Sequence, residues 1–397
     1  MTRSGHRLPP VGILALCLLV SGCLSLHRAP PRPGRTSFGA PVVTLPAQLV
    51  ANYVIVEVKW DKYGPYHFII DTGSSVTLVT PELAQRYGDK NALLPDMPEV
   101  PVRSADGVLT HLPPALLTRI ELGAARFSDV PALIYDCASL TAQLGVKIDG
   151  VLGFPLFRET LLTLDYPGER VQLQPGATAP AAPGTVVPFN NAEKIPLIPV
   201  RLGDRTLIAL IDSGSDEAFS LNPVGLDPAF LSGPAPGPTV STLTGDRVEK
   251  VGRLAGTLYV GEYAVPHPIV EVSDELSAVG GGILKYFSVT FDQSHDRVTF
   301  QRTADDPIAV PALRGPGLSF SKTPAYWRVV GVMPGSPGHA AGVEPGDLVT
   351  AINGEPVSQW DTRRYDRLLA NAETIECTFL NGTRKADKRL AIAELVP

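Results

Sequence analysis

Along most of the chain, short apolar runs are separated by glycine, proline and aspartate turns, and the runs recur twice in one order. The first set opens with Asn52-Tyr53-Val54-Ile55-Val56-Glu57-Val58 and passes a turn at Gly64-Pro65. It continues through Phe68-Ile69-Ile70 into Asp71-Thr72-Gly73-Ser74-Ser75. The second opens with Ile195-Pro196-Leu197-Ile198-Pro199-Val200, turns at Gly203-Asp204 and runs through Leu207 to Ile211 into Asp212-Ser213-Gly214-Ser215. Short apolar runs bounded by turn residues predict strands, so each set begins with a hairpin whose second strand ends on an aspartate. Further hairpin turns follow at Asp106-Gly107 and at Thr244-Gly245-Asp246. Then come Ile120-Glu121-Leu122-Gly123 and Leu258-Tyr259-Val260-Gly261, and the strands Val130 to Tyr135 and Pro266 to Val272. The first copy closes with Gly150-Val151-Leu152-Gly153 and Leu162 to Asp165, the second with Gly282-Ile283-Leu284-Lys285 and Val289 to Asp292. A Pro/Ala/Gly-rich linker, Gln174 to Thr185, separates them. A repeat of roughly 110–140 residues is longer than the ~20–50-residue units of solenoids. The expectation is two related lobes, 44–175 and 186–303, followed by a third unit at 311–395.

Composition narrows the class. Hydrophobic residues make up 44% of 397 and charged residues 19%, which supports a large core and excludes global disorder. With 37 Gly and 39 Pro, long helices are disfavoured and a loop-rich, mainly β fold is expected. The 34 basic and 40 acidic residues give a net charge of −6, which argues against nucleic acid as a partner. Of the four cysteines, two lie in the leader and Cys137 and Cys377 fall in different units, so no disulfide framework is indicated. Scattered histidines offer no metal-ligand spacing, and no metal or cofactor is expected.

The leader has three parts. Arg3, His6 and Arg7 precede an apolar run from Val11 to Val20, too short to span a bilayer comfortably, and Val20-Ser21-Gly22-Cys23 follows. This ending resembles the lipobox of bacterial lipoproteins. The resemblance implies removal of residues 1–22, lipidation of Cys23, membrane attachment through several acyl chains, and a Pro/Arg/Gly-rich tether over 23–43. Leu24 after the cysteine suggests the outer membrane, facing the periplasm.

Asp is depleted within strands, so an aspartate ending an apolar run in both copies calls for a chemical reason. The duplicated D-T/S-G-S loops resemble those of aspartic proteases, pepsin-like and retropepsin-like alike. The resemblance covers about two-thirds of the chain. It implies a two-lobed acid-protease fold in which Asp71 and Asp212 meet at a pseudo-twofold axis, share a proton and activate water against a peptide bond. Gly73 and Gly214 would allow the close approach. Thr72 and Ser213 would cross-bond the loops, with Ser74, Ser75 and Ser215 completing them. Hairpins at Asp106-Gly107 and Gly245-Asp246 are the candidate flaps. Three departures stand out: Lys285 opposite Gly153, a helix cut short after that element in the second copy, and Asp216 opposite Ser75, where a third carboxylate could raise a neighbour's pKa or turn outward.

The third unit resembles a PDZ domain, a small β-barrel with two helices. Gly315-Pro316-Gly317-Leu318-Ser319-Phe320 is similar to its carboxylate-binding loop. Arg328 to Val332, Pro334 to Val343 and Pro345 to Val357 supply strand, short helix and Asn-Gly hairpin in the family's order, and Trp360 to Leu369 reads as the second helix. That resemblance implies binding of peptide C-termini, with the backbone N–H groups of Leu318, Ser319 and Phe320 beside Gly317 holding the carboxylate. Two functions are open: an envelope aspartic endopeptidase acting on peptide or protein substrates, or a non-catalytic adaptor binding extended peptides at both sites.

Overall fold

A computed structural model describes residues 34–60, 62–89, 97–176, 182–381 and 384–397. The leader, with the expectations for Cys23 and residues 1–22, lies outside the described residues, as does part of the tether. Among the described residues no helix is long and apolar enough to cross a membrane. The fold is mainly β.

Apolar runs without alternation become strands covered on both faces. In the first sheet Tyr63–Asp71 lies parallel to Gly150–Gly153, which pairs antiparallel with Thr77–Val79, which in turn lies parallel to Ala125–Ile134. In the second sheet Arg205–Asp212 lies parallel to Ala278–Gly280, which pairs antiparallel with Phe219–Leu221, itself parallel to Ile269–Val272. The pairing pattern is the same in both. A six-stranded sheet ties the halves together: Thr160–Asp165 pairs antiparallel with Ser288–Asp292, and Thr163 and Thr290 hydroxyls meet at 2.9 Å. One apolar core runs through all three sheets, from Val54 and Phe68 to Phe291 and Phe300.

The pairing corrects one alignment. Gly153 pairs with Asp71, and the residue paired with Asp212 is Gly280. Ser277-Ala278-Val279-Gly280 is therefore the counterpart of Gly150 to Gly153, and Lys285 is not opposite Gly153. The triple glycine at 280–282 makes the later frame look equivalent in sequence; only strand register decides it. After each glycine the helical segment is equally short, Phe154–Phe157 in one half and Gly281–Leu284 in the other. The loop from Asp212 to its next strand is one residue longer than that from Asp71, since Thr77 and Phe219 hold matching positions.

The C-terminal unit has its own core around Trp327, Val329, Tyr365 and Phe379. Its sheet has Leu318–Lys322 at one edge, and the helix Thr362–Asn371 is capped by Asp361, which accepts from Arg364 N–H at 2.6 Å.

Candidate active site

The site is built where the two aspartate-terminated strands abut. Thr72 N–H donates to Ser213 Oγ at 3.0 Å and Ser213 N–H to Thr72 Oγ1 at 3.0 Å. Each hydroxyl then donates onward to the opposite strand, Thr72 to Ile211 O at 2.6 Å and Ser213 to Ile70 O at 2.7 Å. Both residues are wholly buried. Four reciprocal bonds with no water access leave each loop little freedom.

Each loop then runs past the other's carboxyl. A Cβ on Gly73 would lie 2.5 Å from Asp212 Cγ, and one on Gly214 would lie 2.3 Å from Asp71 Cγ. Asp71 and Asp212 are hydrogen-bonded to one another, and Gly214 N–H donates to Asp212 Oδ1 at 2.8 Å. Burial raises both carboxyls above the usual range, and Asp71 is raised further by the charge of Asp212. Two half-buried, poorly solvated carboxylates in contact cannot both ionise, so the pair holds a proton. Among the described residues no amide or hydroxyl donates to Asp71 Oδ1, which is buried.

Supporting residues fall on matching framework positions. Ser74 O accepts from Phe154 N–H at 2.9 Å and Ser215 O from Gly281 N–H at 2.7 Å, while Ser75 is exposed. Asp216 turns away from the dyad. It faces Tyr53 Oη at 3.5 Å, its carbonyl accepts from Asn52 Nδ2 at 2.8 Å, and burial lifts its carboxyl to about 6. The groups that shift Asp71 and Asp212 are each other and loop amides, not Asp216.

The hairpin tips reach across the halves. Asp106 Oδ2 takes a hydrogen bond from Thr242 Oγ1 at 2.8 Å and another from Thr244 Oγ1, and these bonds hold its carboxyl down at about 2 although partial burial opposes them. Gly107 and Gly245 take φ of +78° and +141° at the turns, and Asp246 accepts from Ser241 Oγ at 2.7 Å. Between the tips, Leu243 packs into an apolar cluster of the first half with Val76, Leu78, Val102 and Leu112.

In the C-terminal unit Gly317, with φ +77°, leads into the edge strand. Leu318, Leu368 and Leu369 each pack against the core of this unit, and Phe320 stacks edge-on to Tyr365. Ser319 Oγ accepts from Thr239 N–H at 2.9 Å. At the far end of this strand Lys322 Nζ donates to Gln143 O at 2.6 Å, and Thr362 Oγ1 donates to Leu144 O at 2.5 Å, so the edge-strand and helix ends rest on the first half.

Several residues near the site carry no motif in the sequence. Tyr166 is buried, feels both dyad charges and has no hydroxyl partner among the described residues. Glu217, Glu249 and Glu271 converge from three separate segments. Only Glu217 had a signal, its place five residues after Asp212. Cys137 and Cys377 are free and buried, with thiols pushed up to about 12.

Comparison with known proteins matches residues 56–156 to a family described as aspartyl protease and residues 328–379 to a family described as PDZ domain. A candidate serine protease, HhoA, of Synechocystis sp. is 24% identical over 151 residues, which is 37% of this chain and 31% of that protein. The chain thus matches under a third of that relative's length. Among solved structures, the HtrA3 PDZ domain bound to a phage-derived ligand is 17% identical, covering 21% of this chain and 88% of that one at a TM-score of 0.19. A PDZ domain protein from Parabacteroides distasonis is also 17% identical, covering 21% of this chain and 20% of its own at a TM-score of 0.19. The chain therefore contains an aspartyl protease-family domain and, C-terminal to it, a PDZ domain.

Proposed function

We propose that the protein is an aspartic endopeptidase of the bacterial cell envelope, lipid-anchored at Cys23, whose PDZ domain presents or gates peptide substrates. The observation carrying this reading is the pair of cross-bonded loops that press Asp71 and Asp212 together in a poorly solvated setting. In the proposed reaction the ionised carboxylate takes a proton from water, which attacks the scissile carbonyl. The protonated carboxyl donates to the developing oxyanion. At rest the pair shares one proton. A peptide terminus would add to the edge of Leu318–Lys322.

Serine-type chemistry has a local look-alike at Asp292-Ser294-His295, which lacks the required geometry. Ser294 Oγ and Asp292 Oδ2 both contact the same ring atom, Nδ1 of His295, at 3.1 and 2.8 Å. A relay needs the serine and the carboxylate on opposite nitrogens.

Incubation of the purified protein with a peptide library between about pH 3 and 8 tests the proposal. Asp71→Asn and Asp212→Asn should each reduce cleavage by about 10²–10⁴-fold. Wild-type cleavage in either variant would refute the dyad, and a wild type that binds peptides without cleaving them would favour the adaptor. For the anchor, Cys23→Ala should release the protein from membranes; unchanged membrane fractionation would count against lipidation.

A further inference from the structure

Strand pairing equates four wall positions in the two halves. Leu78 pairs with Leu133 as Ser220 pairs with Glu271, Pro114 and Val251 hold matching places beside those partners, and Val151 matches Ala278. Counting back two residues from Pro114 and from Val251, Leu112 corresponds to Glu249. In the first half Leu78, Leu112, Leu133 and Val151 form one apolar cluster beneath the hairpins. In the second half the same positions are Ser220, Glu249, Glu271 and Ala278, so leucine walls are replaced by carboxylates and by smaller residues.

Glu217 joins them from the loop that carries Asp212, and carboxylate oxygens of the three glutamates all lie within 4.8 Å of one another. Glu271 is already neutralised: Arg247 Nη1 bonds Oε1, and Ser220 Oγ donates to Oε2 at 3.2 Å. Glu217 and Glu249 are hydrogen-bonded to each other. Glu249 is 5% exposed, yet among the described residues no amide, hydroxyl or cationic group donates to its Oε1, nor to Oε2 of Glu217. Buried carboxylate oxygens without donors are unfavourable, more so when charged, unless a ligand supplies donors.

From this we infer that the glutamate cluster under the second hairpin is a subsite for a basic side chain, a lysine or arginine of an extended peptide, opposite the apolar cluster of the first half. The inference rests on the protease reading, since the cleft beside Asp212 is what would deliver the peptide. An ammonium group brings one charge and three donors to two carboxylates, which suits this cluster. A calcium ion would need six to eight oxygens, whereas Glu271 is engaged by Arg247 and Ser220. Burial, with the charges of Asp216 and Glu271, holds Glu249 up at about 7, and burial with the charge of Glu249 holds Glu217 well above the carboxylate range, so without a ligand they keep a proton that a cation would displace.

Binding is measured on the full chain carrying Asp71→Asn, so that the readout does not depend on turnover. Fluorescent extended peptides differ at one position at a time, with lysine, norleucine or glutamate. Lysine at one position should bind at least about ten-fold tighter than norleucine there, and adding Glu249→Gln should remove that preference while leaving norleucine affinity unchanged. Glu249→Leu, copying Leu112, should also remove it while raising Tm, because a buried carboxyl gives way to a packed apolar group. Equal affinities at every position, no peptide binding at all, or a lysine preference surviving both substitutions would overturn the inference. So would a Tm increase with Ca²⁺ that Glu249→Gln abolishes. Wild-type cleavage without basic preference overturns the subsite alone; lysine preference without cleavage overturns the protease reading alone.

Discussion

Gly73 has no room for a side chain, because the atom added would sit 2.5 Å from both Cγ and Oδ1 of Asp212. Gly73→Ala must therefore push the carboxyls apart or distort a loop whose threonine is wholly buried and makes three hydrogen bonds. We expect a loss of cleavage comparable to that of Asp71→Asn, with a destabilisation of about 1–3 kcal/mol visible in Tm. An active, normally stable Gly73→Ala would mean the loops are not closed as described. The dyad also sets a pH profile. In the proposed mechanism activity needs one proton on the pair, so it should fall in acid as the pair takes up a second proton and fall again as it gives up its last. Both carboxyls are raised, mainly by burial, so the bell should be displaced above the usual carboxylate range. A single-limbed profile with no acid decline would refute a shared proton. The aspartates, glycines and hydroxyls were legible in the sequence because the motif occurs twice. Tyr166 and Glu271 were not, since nothing local distinguishes a core tyrosine or a strand glutamate from one aimed at a site.

Hairpins behave as units, and those here are unequal. The second pairs Phe230–Thr242 with Gly245–Leu254, whereas the first pairs only Val100–Arg103 with Leu109–Leu112. The short one is latched to the long one through Asp106, which receives the hydroxyls of Thr242 and Thr244. Asp106→Ala should unlatch the tips. Amide exchange of residues 242–246 should rise several-fold at unchanged Tm, since the contact is at the surface and opening is local. Unchanged exchange there would show that Leu243 packing alone holds the tip. The turns themselves were predictable from Asp-Gly and Gly-Asp pairs, but that the tips meet was not. The sequence also misplaced one strand by five residues, because consecutive glycines at 280–282 fit either frame until Asp212 selects Gly280.

At the scale of the molecule, raised carboxyls accumulate in one region. Asp71 and Glu217 are raised well above, Asp216 to about 6 and Glu249 to about 7, all chiefly by burial. Each keeps its proton in the fold at pH values where the unfolded chain, with carboxyls near 3.8 to 4.5, has lost it. The folded state then binds more protons, so stability falls as pH rises from about 4 to about 7. Carboxyls that are held down, Asp106 and Asp292, lose their contribution only below that window. Lys322, lowered to about 8, acts above it. Tm should be higher at pH 5 than at pH 8, and Glu249→Leu should flatten the difference; a Tm rising over that range would contradict the burial of these groups.

By itself the sequence determined that the chain is β-rich, that its body repeats, that an aspartate ends a strand in each copy and that a PDZ-like unit follows. These are properties of local pattern: period, turn residues and short motifs act over a few residues and survive without partners. Tertiary structure alone decided which glycine faces which aspartate, that Asp216 turns from the dyad, and that Ser220, Glu249 and Glu271 occupy the places of three leucines. Those outcomes depend on register between strands distant in the chain. A shift by one residue exchanges the inward and outward faces of a strand, and only packing against the rest of the sheet chooses between them.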